Sequence, residues 1–289
     1  MACFIHMVML LGALVLGGIA ILYADVVREL VRVWSTDTNY SHGFLIPPIA
    51  AFLAWERRDR FLSAPPRPAR AGLVVIGASA LVLALGAGAF PSRIAFVATL
   101  GGAVLAIFGW SRFRAVAFPL AILLLMIPLP APVFERLESP LQIATSVLSE
   151  TLIHAVGIPV FRDGNLLALG NVTLEVAKEC SGIRTTISLV VLGLAFGYSA
   201  DARRWPRVLV LALTVPVVIL TNAIRVAATA TSAHYYGRET ATGFLHDLFG
   251  WLAFAAAFAT LFLIHHLLVR AAGTSHPTSG TSANAYSHS

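Results

Sequence analysis

A single cysteine at the start of a long apolar run is the residue best placed for nucleophilic chemistry. Cys180 stands in the segment Glu179-Cys180-Ser181-Gly182-Ile183-Arg184, where a polar, strand-like stretch passes into apolar sequence. A helix N-terminus supplies partial positive charge and free N–H groups, and both lower the pKa of a thiol. The alternative is an inert, buried cysteine, which is the usual state of a membrane thiol.

Two further polar residues lie close to apolar segments. Arg225 is at the predicted outer end of the seventh segment, and Asn222, three residues earlier, shares its helical face. His246 is at the predicted outer start of the eighth segment. An arginine near the bilayer is a functional candidate by default, although a snorkelling interfacial arginine fits equally well. For His246 alone, an interfacial or capping histidine is the more ordinary interpretation.

Together, a thiol, a guanidinium and an imidazole are the groups that acyl transfer requires. A thiolate attacks a carbonyl carbon, an imidazole moves the proton, and a fixed cation stabilises the oxyanion. The chain has no second nearby thiol, because its other cysteine is Cys3. A disulfide framework and a cysteine metal cluster are therefore not expected, and His234, His265 and His266 lack a matching set of metal ligands. No cofactor is predicted.

The composition is that of a membrane protein. Of 289 residues, 58% are apolar and 12% are charged, and the mean hydropathy is +0.82, whereas soluble domains carry roughly 25% charged residues. The formal charge of +6 does not indicate nucleic-acid binding, because the arginines lie in short loops between apolar runs.

The predicted fold class is an all-α polytopic membrane protein with about eight transmembrane helices, since each span needs about 20 apolar residues. The segments cover roughly 3–23, 41–55, 71–89, 94–109, 115–132, 183–199, 207–227 and 248–269. They form one domain over residues 1–273, and the Ser-, Thr-, Gly- and Ala-rich stretch 274–289 is predicted to be a disordered cytoplasmic tail. The first segment is predicted to be a span, because no small-x-small cleavage site follows it.

Arginine sets the expected orientation, because positive charge marks the cytoplasmic side. With alternating segments, the arginine groups at 57–70, 112–114, 203–207 and 270 share one side, whereas the opposite short turn carries only Arg93. Both termini are then cytoplasmic. The long loop before the sixth segment, together with Cys180, Arg225 and His246, lies at the outer face.

The outer loop is predicted to hold an amphipathic helix along the surface, at about 140–156, and a small β-meander. Turn signals occur at Asp163-Gly164 and Gly170-Asn171. Apolar Val172, Leu174 and Val176 alternate with their neighbours at the period of a strand. The meander leads directly into Cys180.

Residues around the cysteine are candidates for supporting roles. Arg184 lies one helical turn after Cys180, and it either lowers the thiol pKa or forms a salt bridge with Glu179 or Glu175. Glu179 opposes thiolate formation unless it pairs with an arginine or binds substrate.

Candidates elsewhere are less specific. Tyr40, Ser41 and His42 precede the second segment, where they either line a substrate entry or cap the helix, and capping is slightly favoured. Asp247 follows His246, but adjacent side chains on a helix point apart, so direct pairing is not expected.

Four segments in order resemble those of the exosortases, a family to which the archaeosortases are related. The motifs are Tyr40–Pro47, Glu179–Arg184, Asn222–Val226 and Phe244–Gly250. Each is short, but their order and their positions on the predicted helices are specific, and the resemblance extends from about residue 20 to residue 270.

The resemblance implies a cysteine transpeptidase of the bacterial inner membrane, with its active site on the periplasmic face. Its substrates would be exported proteins held in the lipid bilayer by a C-terminal PEP-CTERM-like tag, which comprises a Pro-Glu-Pro-like motif, one spanning helix and a basic end. Cleavage of the tag would release the protein from its anchor and allow its transfer to a surface acceptor, in a setting linked to exopolysaccharide and biofilm. By matching position, Cys180 is the nucleophile, Arg225 the second essential residue and His246 the third. Which of Arg225 and His246 activates the thiol stays open.

Two other classes compete with this interpretation. A transporter or assembly protein for polysaccharide or lipid would use Arg225 and His246 to line a polar pathway, and it would not need the thiol. A thiol redox protein would need a second cysteine nearby, whereas Cys3 is expected on the opposite face.

Overall fold

The computed structural model describes residue 15 and residues 17–170, 172–176, 182–199, 204–241 and 243–273. Cys3, Glu179, Cys180 and the stretch 274–289 lie outside these ranges, as does the side chain of His246. Residues 17–22 are helical. The helices that follow are α1 Ala24–Thr36, α2 Ile46–Glu56, α3 Arg58–Ser63, α4 Arg70–Ala84, α5 Ala89–Ile122, α6 Ala131–Ala155, α7 Ile183–Ser199, α8 Arg204–Tyr236 and α9 Phe244–Gly273, with 3-10 helices at Thr38–Phe44, Leu123–Met126 and Arg238–Ala241.

Several of these helices have the length and composition of membrane spans. Within the described ranges, three stretches are long and apolar enough to cross a membrane: Ala89–Met126, Val208–Tyr236 and Asp247–Arg270. Helix α4 and the stretch Ile183–Phe196 of α7 are apolar but shorter. A mainly helical membrane protein is thus confirmed, whereas the number of eight spans stays a prediction.

Helix α5 folds back on itself at Gly109. The φ of 78° and ψ of −177° at this residue lie in a region that is open almost only to glycine. The side chains of Phe113 and Leu120 come within 3.4 and 3.9 Å of the position that a Cβ on Gly101 would take. In a straight helix, Leu120 would be about 28 Å away from Gly101. The predicted break between the fourth and fifth segments is therefore confirmed.

Two of the arginine-bearing loops, at 57–70 and 112–114, gather at one end of the molecule. The Arg112 side chain, just after the reversal in α5, donates from Nε to the carbonyl of Ala64 at 3.0 Å. Arg57, at the end of α2, donates from Nη2 to the carbonyl of Tyr198 at 2.9 Å. These contacts bring the ends of α2 and α7 and the turn in α5 together, as the alternation of the segments predicts.

The β-meander is present where the sequence predicts it. Strands β1 Phe161–Asp163, β2 Leu166–Ala168 and β3 Thr173–Glu175 form an antiparallel sheet in the order β1-β2-β3. Two fully buried leucines of the sheet region, Leu167 and Leu169, pack in one cluster with Ile153 of α6 and with Ala227 and Ala230 of α8. The meander therefore rests on both helices.

Helix α6 differs from the surface helix that the sequence predicts at 140–156. It begins at Ala131, and its residues Thr145, Ser146 and Ser149 are fully buried. The Ser149 hydroxyl bonds with the carbonyl of Thr145 at 2.7 Å and with that of Ala223 in α8 at 3.2 Å. Serine and threonine hydroxyls that bond to carbonyls one turn earlier can be buried in a helix interface. The polar residues of this helix therefore wrongly predicted a position on the surface. Helix α6 supports α8.

Helix α1 was not predicted, because charged residues interrupt its apolar positions. Its charged face carries two exposed ion pairs, Arg28–Asp25 at 2.8 Å and Arg32–Glu29 at 2.7 Å. Its other face buries Leu30 and Trp34. It is an amphipathic helix placed between the first segment and the 3-10 helix Thr38–Phe44.

We expect Gly109→Ala to lower the thermal unfolding midpoint of the detergent-solubilised protein. A side chain is strained at this φ, and a Cβ would lie 1.7 Å from the carbonyl oxygen of Arg67; the strain alone costs on the order of 1–3 kcal/mol. Gly77→Ala is the matched control, because Gly77 lies within α4 with open space around it and alanine favours a helix interior. Equal midpoints for the two variants would contradict the reversal at Gly109.

Candidate active site

A cavity of about 510 Å³ lies at the end of the molecule opposite the arginine-bearing loops. Helix α2 runs from this cavity, at Ile46, to Arg57 at the other end, and α7 runs in the same direction from Arg184 to Tyr198. The side chains that line it come from four regions of the chain: Ser41, His42, Leu45, Ile46 and Ile49; Arg184, Thr185, Ser188, Val191 and Leu192; Arg225; and Asp247, Gly250, Trp251 and Phe254. All four predicted motifs therefore contribute to this one cavity.

The segment that follows Cys180 is fixed against α8 by Gly182. This glycine has a φ of 81°, and a Cβ at its position would lie 3.0 Å from Val218 Cγ1 and 3.4 Å from Asn222 Nδ2. The Thr186 amide donates to the Gly182 carbonyl at 2.8 Å, which closes the first turn of α7. Asn222 is buried and lies beside the start of α7, one helical turn before Arg225.

The residues just before 177–181 are also fixed, by hydrogen bonds of Val176 to the meander and to α6. The Val176 amide donates to the carbonyl of Asn165 in the meander at 2.8 Å. The Val176 carbonyl accepts from the side-chain amide of Gln142 in α6. The cysteine segment is therefore held by the meander and α6 on one flank and by α8 on the other.

Arg225 lies inside α8 rather than at its end. The sequence predicts a helix that stops near residue 227, but α8 continues to Tyr236, because alanine and threonine follow and the first glycine is Gly237. The guanidinium lies against α9: a Cβ on Gly250 would be 3.4 Å from Arg225 Nη2 and 3.5 Å from Cζ. The guanidinium of Arg225 and the Gly250 region of α9 are therefore in van der Waals contact.

The start of α9 carries the histidine motif. His246 belongs to the first turn of α9, which begins at Phe244, and the Asp247 amide donates to the Gly243 carbonyl at 3.2 Å. The Asp247 side chain lines the cavity. Because the His246 side chain is outside the described part, its direction and any pairing with Asp247 stay untested.

Ser41 and His42 line the cavity instead of capping the second helix. Helix α2 has Leu45 at its N-cap, with no side-chain capping bond, so the favoured capping interpretation is wrong. The 3-10 helix that carries both residues is fixed by Trp34, whose indole would meet a Cβ on Gly43 at 2.3 Å and whose Nε1 donates to the Met126 carbonyl at 3.0 Å.

Burial shifts the pKa values of His42 and Tyr40 in this 3-10 helix, which lies outside the three described stretches that are long and apolar enough to cross a membrane. Burial lowers the pKa of His42, and the charge of Arg184 lowers it further, while backbone carbonyls of Leu125 and Asn39 act in the opposite direction. The imidazole is therefore neutral at neutral pH. Burial also raises the pKa of Tyr40 to about 12. Tyr40 packs on Phe134, with 5.5 Å between ring centroids, and supports the 3-10 helix from behind the cavity wall.

Arg184 projects into the cavity from the first turn of α7. In the ranges that the structure describes, its guanidinium has no ion pair or side-chain hydrogen bond, and Glu175 accepts from Asn165 instead at 3.2 Å. The expected bridge to Glu175 is thus absent there. The alternative bridge to Glu179 falls outside the described residues.

The sequence analysis missed several cavity residues. Thr185, Ser188, Trp251 and Phe254 line the cavity. Ser188 was detectable, because it lies four residues after Arg184 on the same helical face and is polar within an apolar run. Among the described residues, no group of three or more His, Cys, Asp or Glu side chains has an arrangement that could hold a metal ion.

Comparison with protein families gives one match, to the model described as transmembrane exosortase (Exosortase_EpsH), over residues 34–263. This range contains all four motifs and most of the chain. The chain belongs to the exosortase family. Neither the curated proteins nor the solved structures gave a match. The resemblance that the motifs predict is therefore confirmed, and a membrane sorting transpeptidase is the activity consistent with this family.

We expect Gly182→Ala to destabilise the protein more than Gly157→Ala does. Both glycines have a φ of 81°, so both variants carry similar backbone strain, but only Gly182 has neighbours near its Cβ position. Overpacking against Val218 should add about 1 kcal/mol or more to the loss. Thermal unfolding in detergent measures the difference. Equal losses would show that the start of α7 does not press on α8.

Proposed function

We propose that this exosortase is a cysteine transpeptidase in which Cys180 attacks a substrate carbonyl at the cavity between α7, α8 and α9. The observation that carries the proposal is the convergence of the motifs. Gly182 lies against Asn222 of α8, and Arg225 of α8 lies against Gly250 of α9. Three segments that are distant in sequence thus meet at one cavity.

The connectivity of the chain supports Cys180 as the nucleophile. Cys180 precedes Gly182 by two residues, and two residues of chain span at most about 7 Å. Gly182 itself lies beside Asn222, one helical turn from Arg225. Chain length alone therefore keeps Cys180 near Gly182, and the proposal has its thiol act at the N-terminal end of α7, where partial positive charge favours a thiolate.

The reaction has two balanced steps. In the first, His246 accepts the thiol proton of Cys180, the thiolate bonds to the carbonyl carbon, the C–N bond breaks, and the leaving amine takes that proton from His246. In the second, an amine, a hydroxyl or water gives a proton to His246 and bonds to the carbonyl carbon, the C–S bond breaks, and the Cys180 thiolate takes that proton back. Arg225 stabilises the tetrahedral oxyanion. In a second form of the same mechanism, Arg225 and His246 exchange these roles.

The cavity is proposed to face the periplasm, with both termini in the cytoplasm of a bacterium. Positive charge favours the cytoplasmic side, and the arginine-bearing loops gather at the opposite end from the cavity. Exposed aromatic side chains mark both ends, with Trp55 and Trp110 near the arginines and Tyr236 and Trp251 near the cavity. Such aromatic residues favour the two membrane interfaces.

The substrates are proposed to be exported proteins that are anchored by a C-terminal PEP-CTERM-like tag. Cleavage on the periplasmic face would free such a protein from its anchor and transfer it to a surface acceptor, in a setting linked to exopolysaccharide and biofilm. The cavity volume of about 510 Å³ suits a short peptide segment, since ligand pockets measure roughly 300–1,000 Å³.

We expect Cys180→Ala to abolish processing of a tagged reporter protein that is co-expressed with the enzyme. Without the thiol no thioester forms, so the fraction of cleaved reporter on an immunoblot should fall to background. Cys3→Ala is the matched control and should retain full processing. If Cys180→Ala processes the reporter as the wild type does, the transpeptidase proposal is wrong, and a transport or assembly role gains support.

A further inference from the structure

The sheet of the β-meander has one edge that is open to a further strand. Strand β2 lies between β1 and β3, and β1 packs against α6. On the side away from β2, no strand among the described residues pairs with β3. An uncovered edge presents unpaired N–H and C=O groups, which are the template on which another extended chain can pair.

The hydrogen-bond register shows which residues of β3 are bonded to β2. The Leu169 amide donates to the Val172 carbonyl, and the Val176 amide donates to the Asn165 carbonyl, both at 2.8 Å. In an antiparallel ladder, hydrogen-bonded pairs alternate with pairs that share no bonds. The even-numbered residues of this strand are therefore bonded to β2, and the backbone groups of the odd-numbered residues point to the open edge.

Thr173 and Glu175 are the odd-numbered residues of β3, and both are exposed. Within the described ranges, the backbone N–H and C=O of these two residues form no hydrogen bond on the open side. The Glu175 side chain instead accepts from Asn165 in the turn before β2, at 3.2 Å. The open edge of β3 thus carries two donors and two acceptors with the two-residue period of a strand.

This edge lies next to the segments that are proposed to carry the chemistry. Leu174 of β3 packs against the same buried cluster as Val226, which follows Arg225 in α8. Cys180 follows Glu175 by five residues, and five residues of chain span at most about 18 Å. The open edge is therefore continuous with the proposed active site, both along the chain and through α8.

We infer that the open edge of β3 binds the main chain of the substrate and adds it to the meander as a fourth strand. This inference rests on the proposed function. The occupant is an extended polypeptide, because donors and acceptors that alternate at this period match the backbone of a strand rather than a side chain. Main-chain bonds of this kind hold a segment of almost any sequence, and they align the peptide bond to be cut with the cysteine segment.

A proline at the first residue of β3 tests the edge from the enzyme side. Thr173→Pro removes an outward N–H but no bond to β2, and proline is tolerated at such a position. We expect processing of the tagged reporter to fall on the order of tenfold, with little change in the thermal unfolding midpoint. Thr173→Val keeps the N–H, so it is the matched control and should process normally. Normal processing by Thr173→Pro, or an equal loss in Thr173→Val, would contradict the inference.

A second measurement leaves the enzyme unchanged. A synthetic peptide that comprises the complete tag of the reporter is methylated at one backbone nitrogen at a time, near the bond to be cut. Cleavage by the wild-type protein should fall at alternate positions, because successive N–H groups of a strand point to opposite sides. Equal effects at neighbouring positions, or no effect at any position, would overturn the inference even if Thr173→Pro does not fold.

The two proposals fail in different ways. Processing that survives in Cys180→Ala contradicts the transpeptidase function, and the inference falls with it. Processing that is lost in Cys180→Ala, but is insensitive to Thr173→Pro and to methylation of the peptide, contradicts only the role of β3. Pairing of two enzyme copies along β3 predicts that Thr173→Pro lowers the mass of the detergent-solubilised protein and that methylation has no alternating effect. That outcome also counts against the inference.

Discussion

The contact between the Arg225 guanidinium and the backbone of Gly250 is the constraint on which the site depends. It brings a cation from the interior of α8 to the first turns of α9, where His246 and Asp247 lie. A Cβ at position 250 would lie 3.4 Å from Nη2, which is van der Waals contact, so the guanidinium and this part of α9 touch directly. Gly182 brings the start of α7 still closer to α8, since a Cβ there would lie 3.0 Å from Val218 Cγ1. These two contacts join three segments of the chain.

The rest of the fold maintains this convergence. Helix α6 presses buried hydroxyl side chains against α8 beside Asn222, and Ser149 bonds to the carbonyl of Ala223. The meander and Gln142 hold the chain on the other side of the cysteine segment. Trp34 fixes the 3-10 helix that brings His42 to the cavity. Polar groups inside an apolar bundle need such partners, because each unpaired group costs free energy.

Much of the fold and of the candidate site could be predicted from the sequence. Apolar segments, arginine-rich loops and alternating strand residues predicted the helices, their common end and the meander. The ordered motifs predicted the family and the segments that meet at the cavity. The extent of α6 and its burial were not accessible, because serine and threonine look like surface residues until their hydroxyls find carbonyls one turn away. The length of α8 was underestimated because Arg225, a charged residue in apolar sequence, was taken to mark the end of the helix. How deeply a residue is buried in a helix bundle depends on the neighbouring helices, which the sequence of one segment does not reveal.

The central claim is that Cys180 carries the substrate as a thioester, and mass spectrometry of the trapped enzyme tests it most directly. The wild-type protein is incubated with a tagged substrate, quenched with acid and digested. The account predicts a substrate fragment bound to the peptide that contains Cys180, and its release by neutral hydroxylamine. Accumulation of cleaved substrate with no such adduct, or with an adduct on another residue, would contradict the account.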